Sequence, residues 1–398
     1  MSERKQNKKI DNKAPVIVGV GDFTDRSKED GLNPQELLAK ASQLAIKDSG
    51  IKDLNKQIDY VGVVRFSVDF LTATNQSSFQ YSNFPRTLSN KLGIQATNEV
   101  YAPMGGNSPQ VLLEDALIKI SSGETDCALL AGGEALQTMI ARLKAGMSLD
   151  WLDEPGGNPE MIGNNAIGFS EHEKIHGMDL PTNVYPLFAQ SLRKKDNKTA
   201  EQHLKECSSL FSEFSKVASN NPNSWFPTFR SEEEIAAVSK NNRFVGYPYT
   251  KYLNSVIRVN MSSAYILMSQ TKADELGVSQ NKRVYVHGCS ILDDIWNVSE
   301  RPNFHSSPAI KTCVNQTLEQ AEVSFDDISH FDLYSCFPSA VQIAKEELGI
   351  PEEKKDLTIT GGTMDIGTNN ADLNLSLIHI SEPTRLLSIA YAGFCVKK

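Results

Sequence analysis

The chain alternates short apolar runs with longer stretches in which apolar residues recur every three or four positions. Residues 15–21, Pro-Val-Ile-Val-Gly-Val-Gly, form a compact apolar run closed by glycine and predict a buried strand. Asn33 before Pro34 predicts a helix start. Leu37, Leu38, Ala41, Leu44 and Ala45 then fall on one stripe, and Gly50 marks the stop. The same reading gives a strand over 58–66, a short helix over 86–92 ending at Gly93, and an extended piece at 99–101. A helix over 109–123 carries Val111, Leu112, Ala116, Ile118 and Ile120, and a buried strand over 127–131 runs into Gly132-Gly133-Glu134. Strands alternating with helices predict a largely parallel sheet covered on both faces.

Residues 135–255 break this rhythm. They are rich in Asn, Pro, charge and aromatics, with helical spacing only near 184–195 and 201–219, and read as an insertion. Strand character returns at 264–268. The first pattern then recurs: a strand over 283–291, a helix over 309–321, a strand over 328–336, a helix over 340–348 closed by Gly349, and a strand over 357–360 entering Gly361-Gly362. The expected division is a tail at 1–13, a first α/β half at 14–134 and 256–275, the insertion at 135–255, and a second half at 276–374.

Composition narrows the function classes. With 398 residues, 40% of them apolar, the chain can build two or three real cores. Its net charge of −9 and lack of a long Lys/Arg block argue against a nucleic-acid partner. No run reaches the ~20 apolar residues of a membrane span, and residues 1–12 do not read as a secretory signal. Six scattered cysteines make no Cys-x-x-Cys pair. The expectation is a cytoplasmic protein without a disulfide framework or a metal. Residues 375–385 read Leu-Ser-Leu-Ile-His-Ile-Ser-Glu-Pro-Thr-Arg. One frame of a common transposon-type sequencing adapter translates to that string, and residues 389–398 nearly match the adapter's other end. Residues 375–398 are therefore set aside as adapter-derived, with the second half expected to be cut short after Asn374 and to leave apolar area exposed.

Four stretches together resemble the thiolase superfamily. The first is 101–110 with the later Gly123-Glu124-Thr125-Asp126 and Ala131-Gly132-Gly133-Glu134, similar to the thiolase nucleophile helix and the strand after it. The second is Val259-Asn260-Met261-Ser262-Ser263-Ala264. The third, Phe331-Asp332-Leu333-Tyr334-Ser335-Cys336-Phe337, resembles an active-site loop, and the fourth, Thr360-Gly361-Gly362, resembles the approach to another. The insertion, with Tyr185-Pro186, Asn221-Pro222 and Tyr247-Pro248, is similar to thiolase-like proteins of type 1. The resemblance implies an α/β thiolase-like fold: two related halves in a layered αβαβα arrangement, a long loop-domain insertion, and an incomplete second half. It also implies coenzyme A or an acyl-CoA as substrate or ligand, and chemistry through a cysteine acyl intermediate at a helix N-terminus, where the helix dipole favours thiolate.

The departures from the family matter as much. Gly105, or Gly106 with a one-residue shift, stands where the nucleophilic cysteine belongs. Tyr334 replaces the loop's Asn or His, and Thr368 lies about where a histidine belongs. Gly105, Gly106 and Asn107 read as a tight turn whose N–H groups can hold a thioester oxygen. Cys336 is the best-placed native thiol, an alternative nucleophile or a buried small residue. Ser108 grazes a Gly-x-Ser-x-Gly elbow but reads better as a helix cap before Pro109. The resemblance also assigns Gly361 and Gly362 to the ligand site. Arg243 and Lys251, with Arg193, Lys194, Lys195, Lys198 and Arg258, are the cations available for phosphates. His172-Glu173-Lys174-Ile175-His176 matches a zinc-binding pattern, yet Gly177 and Pro181 end any helix there, so it reads as a polar helix end. Two functions follow: an acyltransferase of the acetyl-CoA acetyltransferase type in acyl-CoA metabolism, favoured by the family, or a CoA- or acyl-CoA-binding protein without carbon–carbon chemistry, favoured by the glycines.

Overall fold

The computed structural model describes residues 11–67, 81–164, 168–354 and 356–363. Strand β1 (Pro15–Thr24) leads to helix α1 (Pro34–Ser49). Asn33 caps that helix through a full capping box with Glu36, and Gly50 closes it in the left-handed region. There follow β2 (Tyr60–Val64), α2 (Phe84–Leu92), β3 (Asn98–Ala102), α3 (Ser108–Ser122), β4 (Cys127–Ala135) and α4 (Leu136–Lys144). The insertion contributes β5 (Glu160–Met161), α5 (Glu171–Ile175), α6 (Pro181–Lys195), α7 (Ala200–Ser219), α8 (Glu232–Ala236) and the hairpin of β6 (Phe244–Gly246) with β7 (Tyr249–Thr250). Strand β8 (Asn260–Ser269), α9 (Gln270–Glu275), β9 (Val284–Tyr285), α10 (Pro308–Ala321) and α11 (Pro338–Glu347) complete the strands and α-helices of the described residues.

Among the described residues the main sheet has the order β5-β3-β2-β4-β8-β1-β9. Strands β5, β3, β2 and β4 run parallel, whereas β8 is antiparallel to both β4 and β1. Alternation sorts the side chains to two faces. Val61, Val63, Leu129 and Ala131 pack under α1 and α2. Tyr60, Val64, Ala128 and Leu130 pack against Leu112, Leu113, Ala116 and Ile120 of α3. Gly62 lets α3 seat closely, since a Cβ there would meet Leu112 Cδ1 at 2.6 Å. Polar ties fix the axial position of α3. The Tyr60 hydroxyl donates to Asp115 at 2.7 Å, and Lys119 bridges Asp115 and Glu160.

The strands and helices expected between residues 15 and 131 form, with β4 running through Gly132-Gly133-Glu134 instead of ending there. The second half differs locally. Its helices α10 and α11 form, but 283–291 is reduced to two strand residues on the edge of β1, and 328–336 and 357–360 form no strand. One backbone bond, Leu333 N–H to Leu357 O at 2.9 Å, joins the latter two segments. A strand exists by pairing with a neighbour, and among the described residues these segments have too little to pair with. The helices pack instead into one apolar cluster with the insertion, centred on Phe188, Phe211, Phe214, Cys313, Val341 and Leu357. No described helix is long and apolar enough to cross a membrane.

Candidate functional site

The parallel strands β2, β3 and β4 deliver their C-terminal ends to one edge of the sheet, the edge at which open α/β folds place ligands. Beyond β3 the chain turns at Gly105, whose carbonyl accepts the Ser108 N–H at 3.0 Å, and α3 begins. Residues 104–110 are all buried. The helix cap is Asn107, without a side-chain capping bond, and not Ser108 as the sequence reading had it. Ser108 is the first helical residue, 1% exposed, and its Oγ makes no hydrogen bond. A serine nucleophile needs a base in contact, and among the described residues none is hydrogen-bonded to this hydroxyl. Asn107 and Ser108 line a cavity of about 400 Å³ with Val111, Glu114, Asp293 and Trp296.

Arg65 and Glu134 stand at the same edge, and the sequence reading did not single them out. Arg65 lies 4.6 Å over the Tyr101 ring, and Glu134 accepts the Ser67 N–H at 2.8 Å while 1% exposed. A cation directly after a wholly apolar strand, Val-Gly-Val-Val-Arg, is the signal that could have flagged Arg65.

The second group converges on this edge from the other half. Ser255 precedes β8, whose Met261 pairs with Glu134 of β4. The Ser255 N–H and Oγ donate to the Cys336 carbonyl at 3.2 and 3.1 Å, and its Oγ lies 2.7 Å from Thr363 Oγ1. The Thr363 N–H donates to Ser335 Oγ at 3.1 Å. Gly361 sits so close to α7 that a Cβ would lie 2.4 Å from Ala218 Cα. Ala218 in turn packs on Val259 and Met261 at the start of β8. Tyr334, Cys336, Gly361 and Gly362 are thus drawn together. Gly105 to Ser108 follow β3, and β3 is three strand spacings from β8, about 14 Å.

The insertion closes over this group. Tyr185 of α6 stacks on Phe337 at 4.1 Å, and its hydroxyl is 3.3 Å from that of Tyr334. The Ser339 N–H donates to the Tyr249 hydroxyl at 3.1 Å, and burial holds that phenol well above its ordinary pKa. Cys336 is 0% exposed and Tyr334 3% exposed. These side chains are packed among aromatic rings, and none of them lines the cavity beside Ser108.

The other candidates fall elsewhere. Arg243 and Lys251 are exposed on the β6–β7 hairpin, where the Lys251 N–H donates to the Arg243 carbonyl. Lys195 pairs with Glu346, and Lys198 is held by Asp196 at 3.0 Å and Glu206 at 2.9 Å, so these two cations tie the insertion to itself and to α11. In the His-Glu-x-x-His stretch, His176 ends α5 and its Nδ1 lies 2.8 Å from the His172 carbonyl oxygen. Glu173 accepts from Ser170 and from the Ser299 N–H. Burial pushes its pKa up, but these bonds outweigh it and leave the carboxyl below its usual range. No cluster of three or more metal-ligating side chains occurs among the described residues. Thr368 lies outside them.

Sheet order, buried glycine turn and hydroxyl-lined loop define an α/β protein of the thiolase type. Solved structures bear this out. A monomeric SCP2-thiolase-like protein type 1 from Mycobacterium smegmatis is 30% identical, covering 92% of this chain and 70% of its own, with a TM-score of 0.74. The chain belongs to the SCP2-thiolase-like proteins of type 1, within the thiolase superfamily. Two further structures share the fold. The dimeric peroxisomal thiolase of Saccharomyces cerevisiae is 14% identical, with 99% of this chain and 100% of that one covered and a TM-score of 0.68. Human mitochondrial 3-ketoacyl-CoA thiolase in complex with CoA is 12% identical, with 96% and 98% covered and a TM-score of 0.64. No protein-family model and no curated protein matches the chain.

Proposed function

We propose that this protein binds coenzyme A thioesters at the C-terminal edge of the sheet and does not perform the cysteine-dependent carbon–carbon chemistry of thiolases. One observation carries the reading: the head of α3 bears the glycine turn 105–106 and no thiol, while the thiol of Cys336 is 0% exposed. Acyl transfer through cysteine needs an accessible thiolate. The glycine turn at 105–106, which leads into Asn107 and Ser108 at the cavity, suits the thioester carbonyl. The cavity beside Ser108 carries Glu114, Asp115 and Asp293, which repel phosphate, so it suits the acyl or pantetheine end and not the nucleotide. Arg65, Arg243, Lys251 and Arg258 remain the cations for the phosphates. Membership in a thiolase family favours a second reading, an acyltransferase of the acetyl-CoA acetyltransferase type in which Cys336 accepts the acyl group. Incubation with acetyl-CoA, followed by intact-mass analysis and a free-thiol assay, separates the two. The binding reading expects retained acetyl-CoA, no acyl adduct and no CoA release. An adduct on Cys336, absent in Cys336→Ser, establishes the second reading and overturns the first.

A further inference from the structure

Asp332 is 1% exposed and lies one residue before Leu333, whose N–H joins the segment to Leu357. The Thr358 hydroxyl donates to Asp332 Oδ1 at 2.8 Å. That same hydroxyl oxygen accepts the N–H groups of Gly361 at 2.9 Å and Thr360 at 3.3 Å, and it lies 3.2 Å from the Thr360 hydroxyl. One carboxyl oxygen therefore orients one hydroxyl, and that hydroxyl folds the turn leading into Gly361 and Gly362. The next rungs are Ser335 to Thr363 and Thr363 through Ser255 to the Cys336 carbonyl. Asp332 is the first rung of the ladder that sets the glycine turn against the Tyr334–Cys336 loop.

The second carboxyl oxygen, Oδ2, is buried and makes no hydrogen bond. Burial pushes the Asp332 pKa up to about 7, against the hydrogen bonds of Thr358, Thr360 and the Ile359 N–H, which pull it down. No charged group adds to that balance. His330 and Asp356 on the flanking segments are exposed, and Lys354 lies 5.1 Å over the Phe331 ring and pairs with Asp356 at 3.3 Å. A carboxylate in this position would bury a charge with one oxygen unpaired, which costs far more than a neutral carboxyl.

We propose that Asp332 is a positioning residue that holds the turn at 360–362 while it keeps its proton, and that loss of the proton loosens the turn. The turn is laced to the loop of Cys336, the thiol on which the second reading proposed above depends. The test reads the backbone without ligand, so its failure leaves the thioester reading standing.

Amide hydrogen exchange of Thr360 and Gly361, corrected for the intrinsic pH dependence, is compared between about pH 6 and about pH 8.5. Wild-type protection is expected to fall about tenfold across that range. In Asp332→Asn, a neutral side chain that can still accept the Thr358 hydroxyl, protection at about pH 6 stays within about twofold of wild type and does not fall. In Thr358→Val, protection is about tenfold lower at every pH. The proposal is overturned if Asp332→Asn loses protection with rising pH as wild type does, if it exchanges like Thr358→Val, if it does not fold, or if Thr358→Val is unchanged.

Discussion

At the residue scale, the buried groups without partners make the sharpest claims. The folded protein holds the Asp332 proton up to about pH 7, whereas an unfolded chain releases it near pH 3.9. The folded state therefore binds the extra proton between those values. Asp332's contribution is most favourable below about pH 4, declines as pH rises toward 7, and is level above. The decline amounts to about 4 kcal/mol at most. Urea unfolding of wild type and Asp332→Asn across this range should give a difference that closes toward the acid end, and a constant difference would contradict it. Ser108 offers the opposite case. Its Oγ is buried and unpaired, so Ser108→Ala should leave stability unchanged or raise it by up to about 1 kcal/mol. Gly361 has φ +111° and no room for a Cβ against Ala218, so Gly361→Ala should cost about 3 kcal/mol. Thermal unfolding measures both.

At the scale of elements, short helices depend on their caps. Glu173 closes a capping box with Ser170 and also accepts the Ser299 N–H from a distant segment. Glu173→Ala should cost about 1–2 kcal/mol in chemical denaturation, and no loss would mean that α5 does not rest on its cap. Elements of this kind are legible in sequence because their signals are local: Asn33-Pro34, the Leu37 to Ala45 stripe and Gly50 lie within a few turns. The strands expected over 283–291 and 328–336 were misjudged because pairing is non-local, and an apolar run does not say what lies beside it. The glycine turn before α3 and the loop holding Cys336 could be found from residue order. Their lacing could not. Tyr185 reaches Tyr334 across 149 positions, Asp332 reaches Thr358 across 26, and Ser255 joins Cys336 across 81. An aspartate between Phe331 and Leu333 was the one local hint, a charge inside an apolar run.

At the scale of the molecule, one sheet organises the first half and presents its C-terminal edge, while the insertion and the helices of the second half share a separate core that covers it. Helix α3 packs on the sheet, and its other side carries apolar residues: Ile118 is 63% exposed, and Val111 is half-buried along the same stripe. Exposed apolar area invites association. Ile118→Lys should raise solubility without lowering Tm, as read by static light scattering and thermal unfolding, and a fall in Tm would mean that Ile118 is part of the packing. The account as a whole stands or falls on the glycine turn that starts α3. Calorimetric titration of acetyl-CoA into wild type and Gly106→Val, with circular dichroism verifying the fold, tests it most directly. Measurable binding by wild type and an affinity at least about tenfold weaker in the variant are expected. Equal affinities, or no binding by the wild-type protein, would contradict it.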